Sequence, residues 1–253
     1  MEPVYARIRT VARRIAAELP PPAFYRVHLE AIESSQRQYE QDPVTRTLKS
    51  FVLQHLDEDL GHGLRHAEKV SLDAGALMIV AAGTRVRSPT QLALRVRLVQ
   101  SAGLLHDIQR KHRNHAREGA VYARKVLGDF GFESGQIEDI SRAIRNHEAF
   151  RAPVPARGSR GALVSDCLYD ADKFRWGPDN FTDTVWDMIS FHNPPLADFI
   201  KHYPRGMQGI EKIKMTFRTA TGKMYGPQFI DLGLSIGNTL YDTILTEFES
   251  TLG

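Results

Sequence analysis

The chain has 253 residues, of which 42% are hydrophobic and 25% are charged, and its 33 Lys and Arg against 30 Asp and Glu give a formal charge of +3. This composition excludes an intrinsically disordered chain, which would contain fewer apolar residues and a larger net charge. The charge is also too small to indicate stable nucleic-acid binding. The single cysteine, Cys167, excludes an internal disulfide framework and is typical of a reducing compartment, so we expect a cytoplasmic protein.

The N-terminal segment is amphipathic rather than membrane-spanning. Val4, Ile8, Val11 and Ile15 recur at helical spacing, with arginines between them. The segment lacks the uninterrupted apolar stretch of a secretory signal, and no run of about 18 apolar residues occurs anywhere in the chain. We interpret the segment as a solvated helix, with a mitochondrial presequence or a membrane-surface helix as alternatives.

The rest of the chain shows helical spacing of its apolar residues, and strand-like alternation is scarce. Asp42-Pro43 and Ser88-Pro89 each combine a good N-cap residue with a proline at the first helical position. The predicted helices are 3–18, 23–41, 43–56, 62–82, 89–108, 115–127, 136–148, 161–173, 180–191, 207–221 and 228–250. No linker is long or polar enough to divide the chain, so the sequence predicts a single all-α domain over 1–253.

The end of helix 89–108 carries two side chains that are costly to bury. His106 falls within the broad apolar face of this helix, and Asp107 falls at the edge of that face. Both groups need polar partners once they are removed from water. A metal ion would satisfy both, and the alternative is a buried His–Asp pair that only forms hydrogen bonds.

Three other predicted helices repeat this pattern. His66 flanks the apolar stripe of its helix, and His147 continues an apolar row of its own helix. Asp172 lies about 40° from the inward face of the helix that contains it, whereas Asp170 lies on the opposite face and is expected to face solvent. Nitrogen and oxygen ligands without a thiolate suit Mn²⁺, Fe²⁺, Co²⁺, Ni²⁺, Zn²⁺ or Mg²⁺. If these four helices converge, the sequence predicts a site for one of these divalent metal ions.

A His on one helix, a His-Asp pair about forty residues later and a distant Asp resemble the HD-domain superfamily of metal-dependent phosphohydrolases. The matching residues are His66, His106, Asp107 and Asp172. The surrounding sequences GHGLRHAEKV, AGLLHDIQRK, AIRNHE and LYDADKF are similar as well, although Lys69 stands where an arginine is common. The resemblance covers about residues 50–180 and leaves 1–45 and 195–253 as helical extensions.

The resemblance implies an HD-domain-like helical bundle with these four residues on a divalent metal ion and with Asp107 also active in catalysis. Such an ion would activate a water molecule and polarise a phosphoryl oxygen. Arg110 and Lys173 are candidates for contacts with the substrate phosphate, against the alternative that they are solvated charges. Some members of the superfamily bind two metal ions, and His115 and His147 are candidates for a second metal or a phosphate.

One feature departs from the family pattern. Nucleotidases of this superfamily often have an acidic residue shortly after the His-Asp pair, but residues 108–111 contain no carboxylate. Asp57, Asp59 and Glu148 are the candidates for a general acid or base. Three aromatic residues near the motifs could stack on a nucleotide base, although a position in the hydrophobic core is the preferred interpretation. These residues are Phe150, Tyr169 and Trp176.

The first functional hypothesis is a phosphomonoesterase or phosphodiesterase that acts on a small phosphorylated metabolite, such as a nucleotide, through a metal-activated water. A di-iron HD-type oxygenase is an alternative that requires both His115 and His147 on metal. A non-catalytic HD domain that binds a nucleotide or a protein partner is another. The two C-terminal helices are expected to cover the metal-bearing helices or to form a homodimer interface.

Overall fold

The computed structural model describes residues 3–55, 63–83, 86 and 88–248, and every regular element in these ranges is helical. The all-α prediction is therefore confirmed. The helices are α1 (Pro3–Ala17), α2 (Ala23–Val27), α3 (Leu29–Gln41), α4 (Pro43–His55), α5 (Leu64–Ala82), α6 (Pro89–Leu105), α7 (His115–Val126), α8 (Ser134–Arg145), α9 (Ser159–Phe174), α10 (Val185–His192), α11 (Leu196–Ile213) and α12 (Ala220–Glu247). A 3₁₀ turn at Leu127–Phe130 follows α7, and a π-helical turn at Asn180–Thr184 precedes α10.

Five helices form the central bundle. Helix α5 packs along α6 and α9, and α8 packs against α6, α7 and α9. Helices α3 and α4 cover one side of this bundle through α5 and α6, while α12 packs on α9, α11 and α1. Buried apolar side chains from the N-terminal to the C-terminal helices belong to one connected cluster, as a single domain would require. None of the described helices is both long and apolar enough to cross a membrane.

The close approach of α5 and α6 depends on a glycine. A Cβ atom added at Gly103 would lie 2.7 Å from Cα and 2.9 Å from the backbone nitrogen of Ser71. These are backbone atoms, which cannot rotate away, so only glycine permits this separation of the helices. Ser71 fills the remaining gap because its hydroxyl donates to the carbonyl oxygen of Gln100, at 3.0 Å. The contact brings the C-terminal end of α6 close to the first turns of α5.

The two predicted N-caps are confirmed. A carboxylate oxygen of Asp42 accepts a hydrogen bond from the backbone N–H of Thr45, at 2.9 Å, at the start of α4. The hydroxyl of Ser88 accepts from the backbone N–H of Gln91, at 3.4 Å, at the start of α6. Both bonds satisfy donors that the first turn of a helix leaves without intrahelical partners.

Several predicted helix boundaries are wrong. Residues 196–206, which lie outside the predicted helices, belong to α11, which runs from Leu196 to Ile213 with Pro204 inside it. The predicted helix 207–221 is divided among the end of α11, a connection over 214–219 and the start of α12. The predicted helix 23–41 is also interrupted at His28. Proline removes one backbone donor from a helix, and tertiary packing outweighs that cost here.

The prediction that Asp170 faces solvent is wrong, because its side chain is fully buried. Its two carboxylate oxygens accept hydrogen bonds from the backbone N–H groups of Arg218 and Thr219, each at 2.8 Å. Helix α12 covers this face of α9, so Asp170 fixes the connection that leads into α12. The apolar stripe of α9 could not indicate this, because the contact depends on a segment almost fifty residues further along the chain.

Candidate metal centre

The first group of candidate ligands combines side chains from α5, from the end of α6 and from α9. The Nε2 atom of His66 lies 3.3 Å from Nε2 of His106 and 3.4 Å from Oδ1 of Asp172. The Nε2 atom of His106 lies 3.7 Å from the same oxygen of Asp172 and 3.5 Å from Oδ2 of Asp107. All four side chains are buried. Ligand atoms of His66, His106 and Asp107 all lie within 4.8 Å of one another, and Asp172 adjoins the two histidines of this set.

A second group forms around the other oxygen of Asp107. The Nε2 atoms of His115 and His147 lie 3.2 Å apart. They lie 3.5 Å and 3.4 Å, respectively, from Oδ1 of Asp107. His115 is the first residue of α7, and His147 follows the end of α8. One carboxylate thus faces two sets of imidazoles, with Oδ2 directed to the first group and Oδ1 to the second.

Backbone carbonyl groups orient two of the imidazoles. Nδ1 of His106 lies 2.7 Å from the carbonyl oxygen of Gly103, and Nδ1 of His147 lies 2.6 Å from that of Ile144. A carbonyl oxygen only accepts hydrogen bonds, so each Nδ1 carries the proton and each Nε2 carries the lone pair. This is the arrangement in which second-shell contacts prepare histidines to bind a metal through Nε2.

The spacing of the first group fits a divalent ion. Metal–nitrogen and metal–oxygen bonds of about 2.0–2.2 Å place neighbouring ligand atoms about 2.8–3.6 Å apart. Three of the separations described above, 3.3, 3.4 and 3.5 Å, fall in this interval, and the fourth, 3.7 Å, lies just beyond it. The donor set of imidazoles and carboxylates without thiolate suits the divalent ions predicted from the sequence.

The protonation states also fit. Burial lowers the pKa of His106 to about 3, although the carboxylates of Asp107 and Asp172 act in the opposite direction. Burial likewise lowers the pKa of His115 to about 4. Burial acts to raise the pKa of Asp172, but the neighbouring ammonium of Lys173 and the hydrogen bond from His66 together outweigh it and hold that pKa well below its ordinary range. Neutral imidazoles and ionised carboxylates are the forms that bind metal.

A family model described as HD domain matches residues 63–176. These residues of the chain are therefore similar to an HD domain. The matched region includes every residue of both histidine and aspartate groups, so the family pattern and the observed clustering fall on the same segment. These residues are His66, His106, Asp107, His115, His147 and Asp172.

A crystal structure of a predicted HD superfamily hydrolase from an uncultured Thermotogales bacterium is similar to this chain. The two are 22% identical with a TM-score of 0.46, and the similarity covers 86% of this chain and 98% of that chain. No curated protein matches the sequence significantly.

The six histidine and aspartate side chains of the two groups together form the HD-domain cluster. The two cations predicted to contact phosphate both lie beside this cluster. Nη1 of Arg110 lies 2.9 Å from Nε2 of His115 and 3.7 Å from Oδ1 of Asp107, and the side chain is 32% exposed. Nζ of Lys173 lies 2.5 Å from Oδ2 of Asp172, and its side chain is only 5% exposed. Arg110 therefore stands at the more open side of the cluster, whereas Lys173 is enclosed with a carboxylate.

The candidate acids and aromatic residues have different environments. Glu148 is partly exposed, and its Oε1 lies 3.8 Å from Nδ1 of His115. Asp57 and Asp59 lie outside the described residues. Tyr169 is buried, as predicted, but the prediction of a core position is wrong for Phe150 and Trp176, which are 66% and 37% exposed. Phe150 also has a φ of 63°, which is unusual for a bulky residue.

Arg175 was not singled out from the sequence, and it joins α9 to α5 beside the HD-domain cluster. Its side chain is buried and forms ion pairs with Asp73 of α5 and with Asp179. Asp179 also accepts a hydrogen bond, at 2.9 Å, from Lys69, which lies one helical turn after His66 in α5. The position of Arg175 directly after α9 was its only sequence signal, because its partners lie in other parts of the chain.

Proposed function

We propose that this HD-domain protein is a metal-dependent phosphohydrolase that acts on a small phosphorylated metabolite. The observation that carries the proposal is that Nε2 of His106 lies 3.3–3.7 Å from ligand atoms of His66, Asp107 and Asp172. A divalent ion held there would polarise a phosphoryl group and lower the pKa of a water molecule. His106, kept neutral by burial, and Asp172, kept ionised by its neighbours, would help to retain such an ion at neutral pH.

The surrounding side chains supply what phosphoryl transfer needs besides the ion. Charge that develops on the non-bridging oxygens is stabilised by fixed cations and hydrogen-bond donors. The guanidinium of Arg110 has several N–H donors, one of which reaches His115, so others remain to meet phosphoryl oxygens. Lys173 holds Asp172 through Oδ2 and leaves Oδ1 directed to the histidines. Of the three candidates for a general acid or base, Glu148 is the one that lies within the described residues.

Phe150 supports a substrate with an aromatic ring, such as a nucleotide. An exposed phenylalanine gains nothing from the hydrophobic effect, and its left-handed backbone conformation costs about 1–3 kcal/mol. Phe150 follows His147 by three residues, so their Cα atoms lie within about 11 Å. A ring at this position could stack on a base while the phosphate meets the metal centre.

The test is metal analysis of the purified protein followed by a phosphatase screen with Mn²⁺, Co²⁺, Ni²⁺ and Mg²⁺ added in turn. We expect Asp172→Ala to lose both bound metal and turnover. Asp166→Ala is the matched control, because Asp166 belongs to the same helix but not to the cluster, and it should retain both. Unchanged metal content in Asp172→Ala would overturn the proposal.

The substrate class has its own test. We expect Phe150→Leu to raise KM for nucleoside monophosphates about 5-fold or more, since base–aromatic stacking contributes about 1–3 kcal/mol. KM for a phosphorylated sugar without an aromatic ring should stay unchanged. Equal effects on both substrates would remove the support for a nucleotide and leave the phosphohydrolase itself in place.

A di-iron oxygenase is the second candidate, because His115 and His147 lie around the same carboxylate as the first group. It requires iron at both groups. Anaerobic preparation with iron followed by visible and EPR spectroscopy distinguishes the two candidates, because the phosphohydrolase turns over with redox-inactive Mg²⁺ or Zn²⁺ and needs no oxygen.

A further inference from the structure

We propose that Arg110 serves as the cation of the second group, so that the centre binds one metal ion rather than two. The second group is defined here as Oδ1 of Asp107 with the Nε2 atoms of His115 and His147. The inference rests on the proposed metal centre, and it concerns which of its two groups the ion occupies.

The lone pair on Nε2 of His115 already accepts a hydrogen bond from Arg110. A neutral imidazole has one lone pair, and a guanidinium N–H can only donate. Nη1 of Arg110 lies 2.9 Å from Nε2 of His115, which is the distance of a full hydrogen bond. The other ring nitrogen, Nδ1, is directed towards Glu148, with 3.8 Å between Nδ1 and Oε1. The lone pair that a second metal ion would need is therefore engaged by Arg110.

The charge of Arg110 acts in the same direction. Its Nη1 lies 3.7 Å from Oδ1 of Asp107, which is the oxygen that faces the second group. A guanidinium keeps its positive charge at every physiological pH. A divalent ion between Asp107, His115 and His147 would meet this fixed charge at short range, in a buried site where water screens little.

The first group differs in this respect. Its neighbouring cation, Lys173, contacts Oδ2 of Asp172, whereas Oδ1 of Asp172 is the atom that faces the histidines. Lys173 thus neutralises the carboxylate from behind and does not engage the oxygen that would bind a metal. The two groups have similar ligands, but Lys173 beside the first group contacts none of the atoms that would bind a metal ion, whereas Arg110 beside the second group does.

The backbone sets the position of Arg110. Its N–H donates to the carbonyl oxygen of Asp107, at 2.9 Å, so residues 107–110 form a turn directly after α6. A turn of this length returns the side chain at its end towards the residue at its start. The proximity of Arg110 to Asp107 therefore follows from local chain geometry, whereas the packing of α7 and α8 brings His115 and His147 to the same place.

The experiment is the Mn²⁺ stoichiometry of the full chain, measured by titration and by elemental analysis of protein freed of excess metal. We expect one ion per chain in the wild type and two in Arg110→Met, which keeps the length of the side chain and removes its charge. Arg110→Lys restores a cation and should return to one. Arg117→Ala removes an exposed arginine from the same region and should also hold one. Arg110→Ala replaces Arg110→Met if the latter does not fold.

A spectroscopic measurement locates the second ion. Two Mn²⁺ ions bridged by Asp107 are exchange-coupled, so the EPR spectrum of Arg110→Met should change from an isolated six-line signal to a coupled multiline signal. Adding His115→Ala to Arg110→Met should restore the isolated signal. Two ions in the wild type, or one ion in Arg110→Met, would overturn the inference and leave the phosphohydrolase proposal standing. A wild type that retains no divalent ion would overturn the proposed function, and this inference with it.

Discussion

The Nε2 atoms of His66 and His106 lie 3.3 Å apart, although 40 positions separate the two histidines in the sequence. Two neutral imidazoles at this distance can share one ring proton, with the Nε2–H of one donating to Nε2 of the other, or both nitrogens can face a common metal ion. Burial lowers the pKa of His106 to about 3, so its imidazole is neutral at neutral pH. A metal ion would satisfy both nitrogens, and the carboxylate of Asp172 lies beside both histidines.

The substitution His66→Ala should therefore abolish most of the metal affinity. Loss of a residue that only orients a ligand costs about 10–100-fold, so loss of the ligand itself should exceed about 100-fold. The measurement is the rise in Tm on addition of Mn²⁺, which reports binding to the folded state. His202→Ala is the control, because His202 is an exposed helical histidine. An equal rise in Tm for His66→Ala and the wild type would contradict this assignment.

The pair between Lys173 and Asp172 gives a prediction that depends on metal. Both side chains are at least nine-tenths buried, so Lys173→Met should destabilise the metal-free protein by about 3–5 kcal/mol by leaving a buried charge unpaired. A bound divalent ion would compensate Asp172, so the loss should be smaller in saturating Mn²⁺. Urea unfolding with and without Mn²⁺ measures both values, with the exposed Lys223→Met as control. The same loss under both conditions would argue against metal binding by Asp172.

The apolar periodicity was sufficient to predict the all-α class, and together with the resemblance to HD domains it indicated which polar side chains lie close to one another. His66, His106 and Asp172 each lie beside an apolar stripe, and a stripe shows which way a helix faces. The positions of Asp170 and Phe150 were predicted wrongly because another principle decides them. Asp170 lies within α9 but is covered by the connection before α12, and Phe150 lies in a turn. The apolar pattern of the nearby helix therefore encodes neither environment.

The need for glycine at position 103 could not be predicted from the sequence, because its neighbour Ser71 belongs to another helix. We expect Gly103→Ala to separate α5 from α6, since its Cβ would lie 2.7 Å from Cα of Ser71. Overpacking of this kind costs about 1–3 kcal/mol or more. The shift should also weaken Mn²⁺ binding, because His66 and His106 belong to the two separated segments. Gly128→Ala is the control, since a Cβ there meets no atom within 4 Å. Full stability and full metal affinity in Gly103→Ala would contradict the close approach.

The pair between Asp42 and Arg97 should make part of the stability depend on pH. Nε of Arg97 lies 2.8 Å from Oδ2 of Asp42. Burial acts to raise the pKa of Asp42, but Arg97 and the N–H of Thr45 outweigh it and hold that pKa below its ordinary value of 3.8. The folded state therefore binds fewer protons, and this contribution is full above about pH 4 and decreases as the pH falls further.

The substitution Asp42→Asn isolates this charge, because asparagine is an equally good N-cap. We expect it to lower the free energy of unfolding by about 1–3 kcal/mol at pH 7, as for other hydrogen bonds to charged groups. The difference from the wild type should shrink as the pH falls below about 4, where the carboxylate of the unfolded chain takes up its proton before that of the folded chain does. Urea unfolding at pH 7, 5, 4 and 3 measures it. A difference that stays constant across this range would show that the ionised form of Asp42 gains nothing from Arg97.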